Sequence, residues 1–145
     1  MDKIKYDSPA VQSSLTILQD VIARMAGNSA NAKSWCVALV SAILVLLADR
    51  ASPDLVWMAI MPIIIFCMLD AYYLAMEKDF RNRYNELVKK LHAGVATVDD
   101  LFVIIPPGQS PLSTSNAWRA LKSFSVLPFY VTQVIVLLIV TRLLF

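Results

Sequence analysis

The chain has 145 residues, 58% of them hydrophobic, with a mean hydropathy of +0.61 and a formal net charge of +2. So apolar a composition in so short a chain excludes an ordinary soluble domain, because the remaining residues are too few to cover the apolar segments. Basic residues are interleaved with acids, so no nucleic-acid footprint is present, and two cysteines cannot build a disulfide framework or, alone, a zinc site.

Met1–Tyr6 is polar, and the first apolar run starts only after Lys33, so that run is expected to be a retained anchor rather than a cleaved leader. Ser8-Pro9 is a helix start, with Ser8 as cap and Pro9 at the first helical position. Val11, Leu15, Leu18, Ile22 and Met25 then recur at spacings of four and three, a heptad-like seam. Ala26–Ala32 follows, a stretch of small or amide-bearing residues including Gly27, Asn28 and Asn31. Such a stretch bends a helix or lets another helix approach closely.

Ser34–Ala48 contains 15 uncharged residues, about 22 Å of helix. A bilayer core is about 30 Å thick, so this span is expected to reach past Lys33, whose stem can snorkel. The six-residue link Asp49–Asp54 then reverses the chain, and a second apolar run, Leu55–Leu69, follows. The two runs read as an antiparallel transmembrane hairpin in which residue i faces roughly residue 103 − i. Cys36 then lies level with Cys67, and Lys33 level with Asp70. The thiols read as ordinary apolar packing on the reduced side of the membrane.

The second span runs on through Asp70 to Met76, and no Gly or Pro occurs from Ile63 to His92. Phe80, Tyr84, Leu87 and Leu91 form a second seam, and Glu77/Arg81, Asp79/Arg83 and Glu86/Lys90 are acid-before-base pairs at i,i+4. The sequence therefore predicts two long helices, Pro9–Ala48 and Pro53–His92, each about 60 Å long. One half of each lies in lipid and the other half forms an antiparallel cytoplasmic stalk. Ala93-Gly94 ends the second helix. Thr97 and Asp100 have capping-box spacing for a short helix, and Ile105–Pro111 is a loop. Ser113–Asn116 offers caps for an interfacial helix through Trp118, Leu121 and Phe124, within a cytoplasmic connector 93–122. Ser123–Thr141 supplies 19 uncharged residues for a third span within 123–145, with Pro128 in its first turns. The fold class is an all-α membrane protein forming one membrane domain: the hairpin, its stalk and a third C-terminal transmembrane helix.

Lysine and arginine counts set the expected orientation. Four precede Ser34, one lies in the hairpin link and seven lie in Glu77–Lys122. The N-terminus and the connector are thus expected in the cytoplasm and the C-terminus outside.

Asp70 is the sharpest candidate for chemistry, because a lone carboxylate in a span must be paired, protonated or water-facing. Two readings stand: a structural pair with Lys33 that fixes the register, and an acid lining an oligomeric pore or proton site. Tyr72 and Tyr73 fit an aromatic belt. Arg81, Arg83, Lys89 and Lys90 either bind anionic headgroups or a nucleotide or form a solvated helix face. His92 reads as a favourable charge at a helix C-terminus. No P-loop, G-x-G-x-x-G, H-E-x-x-H or G-x-S-x-G is present, and one intramembrane acid cannot make an aspartyl dyad. No enzyme, metal site or cofactor is expected.

The run Ile22–Trp35, the later Leu69-Asp70-Ala71-Tyr72-Tyr73 and Phe80-Arg81-Asn82-Arg83-Tyr84 resemble SLATT-type small bacterial membrane effectors of anti-phage conflict systems. The resemblance covers residues 9–92, and the final span departs from the two-span pattern of that family. It implies an oligomeric inner-membrane protein that perturbs or permeabilises the bilayer on a trigger, with a soluble defence-system protein as a possible partner. The homo-oligomer would use Leu15, Leu18, Ile22, Gly27, Asn28, Asn31, Phe80, Tyr84 and Leu87. The alternatives are a non-pore anchor that recruits a soluble partner and a small ion-coupled carrier that uses Asp70.

Overall fold

Ser8 starts the first helix as its type demands: its carbonyl accepts from Val11 and Gln12 at 3.0 and 3.2 Å, and its hydroxyl accepts from Val11 N–H at 3.3 Å. The structure, a computed structural model, describes residues 7–50, 56–104 and 114–144. Helix α1 spans Pro9–Arg50 without a break, two residues beyond the expected end at Ala48. Helix α2 spans Val56–His92; the expected start at Pro53 lies outside the described residues. Pro62 sits inside α2. Helix α3, Thr114–Leu121, and helix α4, Leu127–Leu144, complete an all-α chain. Three of the four, α1, α2 and α4, are long and apolar enough to cross a membrane, which points to a membrane-embedded protein. The expected loop at Ile105–Pro111 lies outside the described residues.

Helices α1 and α2 pack along their lengths. Gln19 donates to the Tyr84 hydroxyl at 3.1 Å, and Lys33 lies 2.6 Å from Asp70. Both pairs follow the 103 − i register, so residues that rise along one helix fall along the other. The buried line of α1 runs through Val11, Ser14, Leu18, Val21, Ser29, Ala32, Cys36 and Val40. Leu15, Ile22 and Met25 flank this line half-buried rather than centring it. Steps of three and four therefore hold as expected, but the seam takes in two hydroxyls. On α2 the buried line is Ala59, Ile63, Asp70, Ala71, Ala75, Met76, Phe80, Leu87 and Leu91.

Helix α2 ends in a Schellman arrangement. Gly94 adopts φ 66°, its N–H reaches the Leu91 carbonyl at 3.0 Å, and Val95 N–H reaches the Lys90 carbonyl at 3.1 Å. A Cβ at φ 66° is strained, which is why glycine serves here. The chain then folds back over the helix ends. Ala96 and Leu101 join Val11, Leu18, Leu87 and Leu91 in one apolar cluster. Thr97 and Asp100 bracket a 3₁₀ turn over Val98–Asp100, with the Asp100 carboxylate accepting from the Thr97 N–H at 3.0 Å and its hydroxyl at 3.1 Å.

The third span differs from expectation at its start. Helix α3 stops at Leu121, Ser123–Val126 forms turns, and the span begins at Leu127 rather than Ser123. Phe124 therefore lies on a turn, 92% exposed, and not on the face shared by Trp118 and Leu121. Pro128 disfavours a continuous helix, having no N–H for the Phe124 carbonyl and a ring that crowds it, and in the first turn of α4 it is tolerated without that cost. Ser123 supplies the turn, its carbonyl accepting from Val126 and Leu127 at 3.1 and 3.0 Å.

Candidate functional site

Ser29 and Lys33 stand four residues apart on α1 and so share a face. Asp70 on α2 meets that face and is fully buried. Its Oδ1 accepts a short hydrogen bond from the Ser29 hydroxyl, and the Lys33 ammonium sits 2.6 Å from Oδ2. Lys33 also donates to Ser29 Oγ at 3.2 Å, closing a triangle of three polar groups. The Lys33 contact with Oδ2 is ionic and lies outside hydrogen-bond angles, so Oδ2 has a charge partner but no directed donor. The lysine head keeps an opening outward, its side chain 19% exposed against 0% for Asp70.

Helix α4 adds a fourth group. Tyr130 is buried and donates to the Phe66 carbonyl at 3.0 Å. Its hydroxyl lies within electrostatic reach of Asp70, Cys36 and Cys67. The two free thiols occupy the same region, Cys36 buried and Cys67 half-buried. The cluster is thus a neutral polar knot where α1, α2 and α4 come together. The attraction between the Lys33 head and the Asp70 carboxyl is strong in a low-dielectric surround and offsets the cost of burying them.

The other candidates spread over the two helices. Leu18, Phe80 and Leu87 are buried, and Leu15, Ile22 and Tyr84 are half-buried, all within the contact between α1 and α2. Gly27 and Asn31 are exposed and Asn28 half-exposed. A Cβ on Gly27 would meet nothing within 4 Å, so within one chain no helix approaches there, and α1 does not bend into a second segment. Arg81 pairs with Glu77 at 2.7 Å. Arg83 contacts Glu86 at 3.7 Å and donates to the Val103 carbonyl at 3.3 Å. Lys90 turns to Asp100, 2.5 Å away, so it serves the fold-back segment. Lys89 is exposed. The Lys90 ammonium, followed by the Thr97 N–H, holds the Asp100 carboxyl below the usual carboxylate range.

A groove of about 410 Å³ opens between the helices, lined by Gln19, Ile22, Ala23, Ala26, Arg81, Tyr84 and Asn85. Its one cation, Arg81, is already matched by Glu77. Among the described residues, no group of three His, Cys, Asp or Glu side chains could hold a metal ion.

Sequence reasoning found Lys33 and Asp70 and missed Ser29, Tyr130 and Asp100 as their partners and Lys90's. Ser29 had a signal: it stands seven residues from both Ile22 and Cys36, one heptad each way along the seam. Tyr130 had none, because nothing in the sequence registers the third span against the hairpin. No family model, curated protein or solved structure matches this chain.

Proposed function

We propose that the chain is an oligomeric effector of the bacterial inner membrane, acting in anti-phage defence by perturbing or permeabilising the bilayer on a trigger. The observation that carries this reading is the continuity of α1. Its 42 residues measure about 63 Å, against about 30 Å for a bilayer core. Half of the helix pair therefore projects from the membrane, and the Lys33–Asp70–Ser29 knot ties the projecting half to the embedded half. A contact made at the far end reaches the bilayer through one rigid pair. The resemblance of residues 9–92 to SLATT-type effectors supports the same reading, as does a sequence without enzyme motifs. The lysine and arginine distribution supports an N-terminus and connector in the cytoplasm and a C-terminus outside.

One observation favours the anchor reading. Val95, Val98, Phe102 and Ile104 are exposed apolar residues on the fold-back segment, where a soluble partner could dock. The carrier reading gains less, since Asp70 is fully buried and does not line the groove at Gln19 and Arg81. Induced expression in bacteria with a potential-sensitive dye separates the readings. Rapid depolarisation is the expected result. Healthy, polarised cells from which a soluble protein co-purifies would establish the anchor instead, and proton-coupled uptake lost in Asp70→Asn would establish the carrier.

A further inference from the structure

The outward surface of α2 changes character beyond Asp70. Its exposed side chains are apolar or aromatic from Trp57 to Tyr72, and the first exposed charge after them is Lys78. Helix α3 is set against this border. Ala120, fully buried, and half-buried Leu121 share one apolar cluster with Ala71, Leu74 and Ala75 of α2. The other side of α3 is open. Trp118, 66% exposed, stands four residues before Lys122, and exposed Arg119 stands three before it, so indole, guanidinium and ammonium share a face. Phe124 follows on its turn, almost wholly exposed, and Leu127 is exposed at the start of α4.

The cations at this border are unmatched. Among the described residues, no carboxylate lies within ion-pairing distance of Lys78, Arg119 or Lys122. The acids of α2 at this level are taken: Asp70 by Lys33, Glu77 by Arg81, and Asp79 has a partner of its own. From Val21 to Ala48 α1 contains no acid at all. An exposed aromatic ring beside a free cation, at the edge of an apolar surface, suits a membrane interface. There the ring enters the acyl boundary and the charge stays among the headgroups.

We infer that the Trp118–Arg119–Lys122 face of α3, with Phe124, is a docking site for acidic phospholipid headgroups. The two rings seat in the acyl boundary, and the two cations bind the phosphate of a lipid that carries net negative charge. The charge match decides the lipid class: a zwitterionic headgroup brings its own cation, which the Arg119 and Lys122 heads repel, whereas an acidic one brings none. Each cation close to an acidic surface contributes about fivefold in association, so the pair favours acidic over zwitterionic lipid by up to about 25-fold. The inference rests on the membrane reading and names the lipid that this surface takes.

The test uses the full chain with Trp35→Phe and Trp57→Phe, both at exposed positions, which leaves Trp118 as the one tryptophan. It is reconstituted into vesicles of phosphatidylcholine and phosphatidylglycerol, with brominated chains on one lipid or the other to quench a neighbouring indole. Brominated phosphatidylglycerol is expected to quench Trp118 beyond its share of the lipid, with a preference of about tenfold or more at low salt that falls as salt screens it. Arg119→Gln with Lys122→Gln is expected to abolish the preference. Arg142→Gln, in the last turn of α4, removes a charge elsewhere and is expected to leave it unchanged. Spin-labelled forms of the two lipids, added to the unaltered chain, are expected to show the same preference in their immobilised fractions. Equal quenching by both lipids, a preference that survives the double change, or an equal loss per charge in Arg142→Gln overturns the inference while leaving a membrane protein. Quenching by neither lipid overturns the membrane reading itself.

Discussion

The same two helices are held together by different means on either side of the Lys33–Asp70 pair. In the distal half, from Pro9 to Asn28 on α1, contact is made by large side chains: Val11, Leu18 and Val21 against Phe80, Leu87 and Leu91. In the membrane half the contact is made by Cys36, Val40, Ala59 and Ile63 at 0–3% exposure, with no buried aromatic side chain among the described residues of either α1 or α2, and polar groups supply the specific bonds at the Lys33–Asp70 pair. On the proposed placement in the membrane, the solvent accounts for the difference. In water, burying a leucine contributes about 1.5–3 kcal/mol. Between lipid tails it contributes little, so helices join through close backbone approach and hydrogen bonds. Exposure obeys the same division: Met61, Ile65 and Met68 face outward on the membrane half, whereas Asp20, Lys78 and Arg81 face outward on the distal half.

The sharpest way to break that comparison is to remove one charge from the membrane half. Lys33→Met leaves Asp70 buried without its counter-ion, and the expected cost is about 3–5 kcal/mol. The measurement is helix loss on titrating the detergent-solubilised protein with a denaturing detergent, followed by circular dichroism. The double variant Lys33→Met with Asp70→Leu removes both charges and is expected to recover most of the loss. A double variant as weak as the single one would mean that the acid itself, not its pairing, matters. The next largest effect belongs to the distal half. Leu87→Ala opens a cavity among Val11, Leu18 and Leu91 and is expected to cost about 2–5 kcal/mol in the same titration. Ile64→Ala, a comparable truncation on the exposed face of the membrane half, is expected to change little, and equal costs at both positions would remove the contrast between the two solvents.

How far the sequence foretold this arrangement depends on the kind of signal. The long helices were legible because hydropathy and three-four spacing extend over many turns, and Ser8-Pro9 and Ala93-Gly94 punctuate them. The Lys33–Asp70 contact was legible because a link too short to do anything but reverse the chain fixes the register, and Gln19 with Tyr84 keeps it 14 residues away from Lys33. The start of the third span was not, because an uncharged run from Ser123 carries no hydropathy boundary, and only the missing N–H of Pro128 marks where helix can begin. The fold-back segment was half legible. Thr97 and Asp100 showed the turn, but Lys90 was assigned to Glu86 on its own helix, since i,i+4 spacing outranks a contact that depends on where the chain turns after Gly94.

That segment sharpens the comparison from the watery side. Asp100 is held ionised below the usual carboxylate range, chiefly by Lys90. A carboxyl depressed in the folded state adds stability that is complete above its unfolded value, about 3.9, and is lost as pH falls through the lower folded value. Acidification below about pH 4 is therefore expected to loosen residues 93–104. Hydrogen exchange at Leu101 and Phe102 reads the loosening; Phe102 N–H is held by the Ser14 hydroxyl at 3.1 Å. Lys90→Met is expected to move the loss to higher pH and to cost about 1 kcal/mol or less at neutral pH, as a partly exposed pair does. Exchange that is insensitive to pH in both proteins would assign the segment to its apolar contacts alone.

The smallest expected effect tests the polar side of the membrane half. Helix α4 buries only Tyr130 and Leu137 along its length, so little apolar contact fixes its position. The Tyr130 hydroxyl makes its specific bond, 3.0 Å to the Phe66 carbonyl, one helical turn from Asp70. Tyr130→Phe keeps the ring and removes that bond, and interhelical hydrogen bonds within membranes are worth about 0.6 kcal/mol. Global unfolding should hardly register so small a change. Local attachment should, because α4 has few other contacts to compensate. A cysteine pair placed across α4 and α2 beside the Tyr130–Phe66 contact, in a background with Cys36 and Cys67 replaced by alanine, is expected to cross-link more slowly and less selectively in the Tyr130→Phe protein. If cross-linking is unchanged, the apolar contacts of Tyr130 and Leu137 in the cluster with Ala59 and Ile63 hold the third helix by shape, and hydrogen bonding is not what positions it.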